Sequence, residues 1–271
     1  MTCLKAAAFD LDDTLLRNDL SISPFTLDVF RRLHESGFLF VAASGRTRMS
    51  MKPFVDRLGC VSLYISCNGA EIWDPVSERF LFRELLSADL CREIAGFGNE
   101  YGCYAQTYSE DRFYFNEYSE YSRMYAAASC LPGEYVGNLV DFIREPRSKI
   151  LMMADEAKIA RMLRDARDRF NGIASVTCSK PYFLEFNPLL ATKGIALEKA
   201  AEILQVSVRD FVAFGDSLND VSMLSVAGLS VAVSNARQEV IDMCKDVCPS
   251  NQEDGVARYL AAVLLNEEAS F

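Results

Sequence analysis

The 271-residue chain has a single histidine, His34, and its nine cysteines include no Cys-x-x-Cys pair. This scarcity argues against a zinc site, which needs several histidine or cysteine ligands. It also argues against a histidine nucleophile, because His34 lies in a predicted outer helix. Scattered cysteines in odd number are typical of reduced thiols acting as small apolar side chains. They predict a cytoplasmic location.

Long apolar runs and a surplus of basic residues are also missing. No apolar run approaches the roughly 20 residues that cross a bilayer. Asp10 interrupts the N-terminal apolar run, which argues against a signal peptide. Lys and Arg number 28 against 38 Asp and Glu, a formal net charge of −10. This balance argues against a nucleic-acid partner, which needs clustered basic groups. We expect a soluble monomer or homodimer that acts on a small molecule.

The most informative run is an apolar segment that ends at a group of acids. Residues 6–9 are apolar, and Asp10, Asp12 and Asp13 follow at once. Two unit charges about 4 Å apart repel by roughly 4 kcal/mol at an effective dielectric near 20. A solvated turn is one explanation of such a cluster. A cation, proton or substrate that relieves the repulsion is the other.

Strand-like and helix-like segments alternate in the first eighty residues and again after residue 188, which predicts a parallel sheet. The predicted strands are 4–9, 38–43, 63–66, 211–214 and 229–233. The predicted helices are 24–35, 47–58, 192–204 and 253–265.

The middle of the chain has a different pattern, rich in Tyr and Phe with short alternating runs. It predicts an α+β insertion with an antiparallel sheet, including a strand at 150–153 and a helix at 156–170. The fold class is therefore α/β, with a Rossmann-like parallel core (1–81 and 187–271) split by an inserted domain (82–186). Some aromatic residues of the insertion are expected in its core or, alternatively, against a substrate: Tyr104, Tyr108, Phe113 and Tyr114.

Four polar segments fall at the carboxyl ends of predicted parallel strands or at the starts of the next helices, where open α/β sheets bind ligands. Side chains two residues apart on an extended strand lie on the same face, so two carboxylates at that spacing can contact one site. A hydroxyl, an unhindered N–H and a helix start suit phosphate oxygens. The segments are Asp10 with Asp12, Ser44 with Gly45, Lys193 with Gly194, and residues 215–220.

In this order, the four segments resemble the haloacid dehalogenase superfamily of phosphohydrolases. The long insertion, with the runs 68–70 and 184–188, resembles its C2-capped, Cof-like branch. The resemblance implies a Mg²⁺-dependent phosphatase that acts on a small phosphate ester, a sugar phosphate or a nucleotide-like phosphomonoester. It also implies that residues 82–186 form a cap that selects the substrate.

The resemblance further implies a role for each matching residue. Asp10 would be the nucleophile that forms an aspartyl-phosphate, and Asp12 the general acid and base. Mg²⁺ would bind the Asp10 carboxylate, the Asp12 backbone carbonyl and Asp216, with Asp220 orienting the ligands rather than binding directly. The groups implied at the phosphate are Ser44, the Gly45 N–H, Lys193 and Asn219.

Several of these residues also have simpler explanations. Ser44 could cap a helix, Lys193 could be a solvated first-turn lysine, and Asp220 could serve a helix dipole. Asp13 departs from the family pattern, where many members have glycine, so the local loop conformation is in question. We expect Asp13 to face away from the metal.

Other functions compatible with the residues are a sugar phosphomutase of the same branch, a phosphorylatable sensor and a noncatalytic phosphometabolite-binding protein. The sensor alternative gives no role to Asp12 or to the long insertion.

Overall fold

The computed structural model describes residues 4–109, 112–129 and 131–267, which form two compact units. The first unit runs up to Gly45, takes in Met51–Leu81 and resumes at Thr192. The second unit comprises Arg46–Ser50 and Phe82–Ala191.

The strands, in chain order, are β1 (Ala6–Phe9), β2 (Leu39–Ala43), β3 (Leu63–Ser66), β4 (Glu71–Asp74), β5 (Arg79–Arg83), β6 (Tyr104–Tyr108), β7 (Phe113–Phe115), β8 (Gly133–Tyr135), β9 (Ile150–Met153), β10 (Ala174–Thr177), β11 (Phe183–Pro188), β12 (Phe211–Gly215), β13 (Leu229–Val233) and β14 (Asp246–Cys248). The helices are α1 (Pro24–Glu35), α2 (Arg48–Leu58), α3 (Ala88–Glu100), α4 (Glu120–Ser129), α5 (Leu139–Phe142), α6 (Glu156–Arg169), α7 (Lys193–Leu204), α8 (Val221–Val226), α9 (Gln238–Met243) and α10 (Gly255–Leu264). Short helical turns lie at Leu11–Leu15, Cys67–Gly69, Val208–Asp210 and Asn251–Glu253.

The first unit is built on an eight-stranded sheet in the order β14-β13-β12-β1-β2-β3-β4-β5. The strands from β14 to β3 are parallel, and β4 pairs with β3 in the antiparallel sense. This arrangement confirms the predicted α/β class. Because β1 lies between β12 and β2, with Phe9 opposite Phe214 and Ala42, the carboxyl ends of these three strands meet at one edge.

Apolar packing on β1 and β2 holds this edge in place. Phe9, Phe30 and Phe40 are fully buried, and the rings of Phe30 and Phe40 stack with centroids 4.4 Å apart. The predicted helix 24–35 is confirmed as α1. Ser23 caps it by accepting the N–H of Thr26, with Pro24 in the first turn, where no N–H is needed.

The second unit contains a six-stranded sheet in the order β10-β11-β9-β6-β7-β8, antiparallel except for the parallel pair β7–β8. The predicted α+β character is thus confirmed. The second unit extends to Ala191, past the predicted bound of 186, and its strand β11 pairs with β10 up to Pro188 and with β9 up to Phe186. Tyr104, Tyr108 and Phe113 are buried in the second unit's core, whereas Tyr114 is half-buried.

Within the described ranges, seven cysteines are free thiols: Cys60, Cys67, Cys91, Cys103, Cys178, Cys244 and Cys248. Cys3 and Cys130 lie outside the described residues. No helix in the described part of the chain is both long and apolar enough to cross a membrane.

Candidate active site

Three charged side chains meet at the carboxyl ends of β1 and β12. The Nζ of Lys193 lies 2.5 Å from Oδ1 of Asp10 and 2.5 Å from Oδ1 of Asp220. Lys193 and Asp220 are 0% exposed and Asp10 is 6% exposed. Because an unpaired charge is costly to bury, the Lys193 ammonium stabilises the two buried carboxylates, and they in turn stabilise the ammonium. The alternative of a solvated Lys193 is therefore wrong.

Asp216 adds a third carboxylate to this cluster. One ligand oxygen each of Asp10, Asp216 and Asp220 lies within 4.8 Å of the others. The hydroxyl of Thr14 donates to Oδ1 of Asp216 at 2.9 Å, which ties the loop after β1 to the loop after β12. Thr14 was missed as a site residue, although it lies in the same acidic run as Asp10. Three acids around one ammonium leave an excess of negative charge, which suits a divalent cation.

The carboxylate of Asp220 is held by donors of the protein itself. Its Oδ1 accepts from Lys193, and its Oδ2 accepts the backbone N–H groups of Asp216 at 3.1 Å and Ser217 at 3.0 Å. Asp220 precedes α8 but makes no side-chain cap of that helix. Its side chain therefore fixes the loop that carries Asp216.

Burial and mutual repulsion shift the proton affinities of the acids. Burial raises the pKa of Asp10 well above its usual range; the Lys193 ammonium opposes this shift and the neighbouring carboxylates add to it. Burial, and then the charge of Asp220, raises the pKa of Asp216 to about 7. Although burial by itself lowers the pKa of Lys193, the two adjacent carboxylates raise it overall, so Lys193 stays charged. The cluster therefore favours positive charge near Asp10 and Asp216.

Asn68 joins two of the segments expected at the phosphate. Its Oδ1 accepts a hydrogen bond from Nδ2 of Asn219 at 3.1 Å. The same Oδ1 would lie 2.9 Å from a Cβ at position 45, so a larger residue there would displace the Asn68 side chain. Asn68 was not singled out as a site residue, although it belongs to the run 68–70 that carries part of the family resemblance.

Ser44 and Lys193 are positioned by the chain around them. Ser44 is buried, and its backbone carbonyl accepts the N–H of Asn68 at 3.0 Å. Because α2 begins only at Arg48, Ser44 is not its cap, and that alternative is wrong. Lys193 is the first residue of α7, whose cap is Thr192, and Thr192 accepts the N–H of Ile195 at 3.2 Å.

Asp12 and Asp13 occupy the turn that leaves β1. Asp12 is extended (φ −70°, ψ 131°) and half-buried, and Asp13 is left-handed (φ 58°, ψ 4°) and exposed. The left-handed backbone at 13 is the conformation that glycine adopts without strain. The charge of Asp13 nevertheless contributes to the raised pKa of Asp216. Among the described residues, the cluster of potential metal ligands comprises Asp10, Asp216 and Asp220, without the Asp12 carboxylate.

Comparisons with known proteins agree with this geometry. A family model described as haloacid dehalogenase-like hydrolase matches residues 7–260. The chain is 29% identical over 257 residues to the 5-amino-6-(5-phospho-D-ribitylamino)uracil phosphatase YcsE of Bacillus subtilis, covering 95% of this chain and 94% of that protein. It is 26% identical to YwtE, a phosphatase of the same name from the same organism, over 98% of this chain and 100% of the relative. A haloacid dehalogenase-like hydrolase from Bacteroides thetaiotaomicron superposes with a TM-score of 0.90 at 26% identity, covering 96% of this chain and 100% of that one.

The chain therefore belongs to the haloacid dehalogenase-like hydrolases. Within that family it is a phosphatase, an enzyme that hydrolyses phosphoric monoesters.

Proposed function

We propose that this phosphatase is Mg²⁺-dependent and hydrolyses a small phosphorylated metabolite through an aspartyl-phosphate on Asp10. The observation that carries the proposal is the buried cluster in which Lys193 pairs with Asp10 and Asp220 while Asp216 lies within reach. A nucleophilic carboxylate beside a fixed ammonium can approach a phosphate dianion, because the ammonium offsets the repulsion between them.

Asp10 and Asp12, which follow β1, have different roles in the proposed reaction. A carboxylate oxygen of Asp10 forms a bond to phosphorus as the bond from phosphorus to the ester oxygen breaks. Asp12 gives its proton to the departing oxygen, then accepts a proton from the water whose oxygen attacks phosphorus and releases Asp10. The half-buried position of Asp12 supports this proton-transfer role.

The donor set near Asp10 fits Mg²⁺. Carboxylates of Asp10 and Asp216 with the backbone carbonyl of Asp12 would hold the ion, since Mg²⁺ prefers oxygen ligands. Asp220 would orient this arrangement, because protein donors already engage both of its oxygens. When bound, the ion neutralises charge on the transferred phosphoryl group.

The phosphoryl oxygens would meet four donors, from three segments of the first unit. Lys193 supplies a charged donor, Ser44 a hydroxyl, Gly45 an N–H and Asn219 an amide. The position of Asn68 supports this assignment, since it lies against both Gly45 and Asn219. A charge-assisted contact of the lysine kind contributes about 1.5–3 kcal/mol.

The second unit would select the leaving group, and a polar cluster within it favours a hydroxylated one. Lys149 and Glu185 form a buried ion pair there. Within the described residues, Oε2 of Glu185 and both amide atoms of Asn187 are buried without a hydrogen-bond partner. Buried polar atoms without partners are costly, and sugar or polyol hydroxyls can both donate and accept. The names of YcsE and YwtE state a phosphoribityl substrate, which also has a hydroxylated chain.

Phosphate release tests the proposal against its rivals. We expect the enzyme to release free phosphate from sugar phosphates, nucleotides or the phosphoribitylaminouracil compound. This release should occur only when Mg²⁺ is present. An isomerised hexose phosphate would indicate a mutase instead. A long-lived acyl-phosphate would indicate a sensor, and no turnover of p-nitrophenyl phosphate a binding protein.

The variant Asp10→Asn tests the nucleophile. We expect the folded variant, checked by circular dichroism, to lose turnover, because the amide cannot form the aspartyl-phosphate. The matched variant Asp19→Asn changes an exposed acid outside the site and should retain wild-type turnover. Phosphate release by Asp10→Asn at the wild-type rate would contradict the mechanism.

A further inference from the structure

The turn that carries Asp12 has an unusual backbone for its sequence. Asp13 is left-handed at φ 58°, directly after the extended Asp12. A residue with a Cβ adopts this conformation less readily than glycine does. Because the direction of the Asp12 side chain depends on the peptide that follows it, the turn needs a restraint at position 13.

Asn235, in the loop after β13, supplies a hydrogen bond at that position. Its Nδ2 donates to the backbone carbonyl of Asp13 at 2.7 Å, across 222 positions of sequence. Its Oδ1 accepts the backbone N–H of Asn251 at 2.9 Å. The same loop contacts the other acidic segment, since the N–H of Arg237 donates to the carbonyl of Asp216 at 2.9 Å.

Asn251 continues the connection to the far end of the turn. Its Nδ2 donates to the backbone carbonyl of Leu16 at 2.9 Å and to Oδ1 of Asn18 at 3.1 Å. Asn251 is buried, at 2% exposure. Asn235 and Asn251 together therefore bind the carbonyl of Asp13, within the helical turn Leu11–Leu15, and that of Leu16, directly after it.

We propose that Asn235 and Asn251 form an asparagine relay, a pair of positioning residues that holds Asp12 in the orientation needed for proton transfer. The inference rests on the proposed function, in which Asp12 protonates the leaving oxygen. Each asparagine acts through the backbone, because each donates to a carbonyl within the turn or directly after it.

A positioning role and a purely structural role predict different dependence on the leaving group. An alkyl phosphate needs a proton from Asp12 as its alkoxide departs, whereas p-nitrophenolate departs without much assistance. Loss of the relay should therefore slow alkyl esters selectively, while general loss of folded enzyme would slow both substrates equally.

The experiment compares Asn235→Ala and Asn251→Ala with wild type on p-nitrophenyl phosphate and on a sugar phosphate that the wild type hydrolyses. The quantity measured is kcat/KM, which includes leaving-group departure. We expect each variant to lose about tenfold or more on the sugar phosphate and less than about threefold on p-nitrophenyl phosphate, since small misplacement of a catalytic group is costly. Gln238→Ala is the control, because it removes an exposed amide, three residues beyond Asn235, that donates to Asp242.

The outcomes separate the relay from the function it serves. Equal losses on the two substrates, or no loss in either variant while the wild type is active, would overturn the relay alone. Absence of turnover in the wild type would overturn the proposed function and the relay with it. Thermal unfolding of each variant fixes the folded fraction used to calculate kcat/KM.

Discussion

The ammonium of Lys193 is what permits two carboxylates to be buried side by side at the end of the central strand. It contacts Asp10, directly after β1, and Asp220 from the loop after β12, so one side chain joins residues that are 210 positions apart. The cost of burying the three charges is offset only while all three are present. At the scale of single residues, stability and chemistry therefore depend on the same contacts.

Lys193→Met tests this dependence. We expect the free energy of unfolding to fall by about 3–5 kcal/mol, because the substitution leaves buried carboxylates uncompensated. Urea denaturation measures the loss. Lys52→Met is the matched control, since Lys52 forms an exposed pair with Asp56 and should change stability by no more than about 1 kcal/mol. Equal effects of the two substitutions would contradict the account.

Asp216 should link cation binding to pH. Its pKa is raised to about 7 in the folded chain, whereas an unfolded aspartate has a pKa of about 3.9. The folded state thus holds a proton that the unfolded state releases, and the metal-free protein loses this contribution to stability as pH rises from about 4 to 7. In the proposed function, a divalent cation would take the place of the proton.

Thermal unfolding at several pH values tests that linkage. We expect Mg²⁺ to raise Tm more at pH 8 than at pH 5. A Mg²⁺ concentration of 100 times its Kd at pH 8 should increase the free energy of unfolding by about 2.7 kcal/mol. Asp216→Asn should lower the Mg²⁺ effect at pH 8. A Mg²⁺ shift independent of both pH and Asp216 would count against the assigned site.

At the scale of secondary-structure elements, the turn after β3 lies very close to the start of α7. Gly69, at φ 105°, would place a Cβ 2.3 Å from the carbonyl oxygen of Thr192, the residue that caps α7. This contact sets the position of the first turn of α7, where Lys193 lies. The glycine therefore matters through both its backbone angle and the space beside it.

Gly69→Ala should lower stability by about 1–3 kcal/mol, because a strained backbone and a clash act together. Gly96→Ala provides the control: Gly96 lies inside α3, a Cβ added there would have no atom within 4 Å, and the variant should gain up to about 1 kcal/mol. Denaturant midpoints give both values. A stable, fully active Gly69→Ala variant would refute the proposed effect of the contact.

Element positions were largely predictable from local patterns, whereas side-chain partners were not. Strands 63–66, 150–153 and 229–233 and helix 24–35 have the predicted bounds, because apolar runs and caps are local signals. Thr14, Asn68 and Asn235 escaped prediction as site residues, since each is defined by a partner more than 140 positions away. The hairpin of β4 and β5 was also missed.

At the scale of the whole molecule, both units bury paired charges, and the second unit, which contains the Lys149–Glu185 pair, also buries polar atoms without partners in the described part of the chain. The first unit pairs its buried charges with one another around Asp10. The second unit leaves Asn187 and one oxygen of Glu185 without partners among the described residues. We propose that these atoms contact a substrate, because buried polar atoms in folded proteins usually have hydrogen-bond partners.

Asn187→Leu tests that distinction. Replacing an unpartnered buried amide with an apolar side chain of similar size should leave Tm unchanged or higher. The KM for the preferred hydroxylated substrate should rise about tenfold, equivalent to losing one or two hydrogen bonds, with little change for p-nitrophenyl phosphate. Asn138→Leu, at an exposed helix cap, is the control for the substitution. A lower Tm with unchanged KM would mean that Asn187 is structural.

The position of β1 in the middle of its sheet has a consequence for synthesis on the ribosome. Its neighbour β2 emerges early, but its other neighbour, β12, begins only at Phe211. One edge of β1 therefore lacks its native partner until most of the polypeptide has been translated, and unpaired edges promote association between nascent chains. The second unit is nearly continuous in sequence, since all of it except Arg46–Ser50 lies in Phe82–Ala191, and its chain is complete before then. The order of translation thus favours early folding of the insertion, with the acidic cluster assembled last.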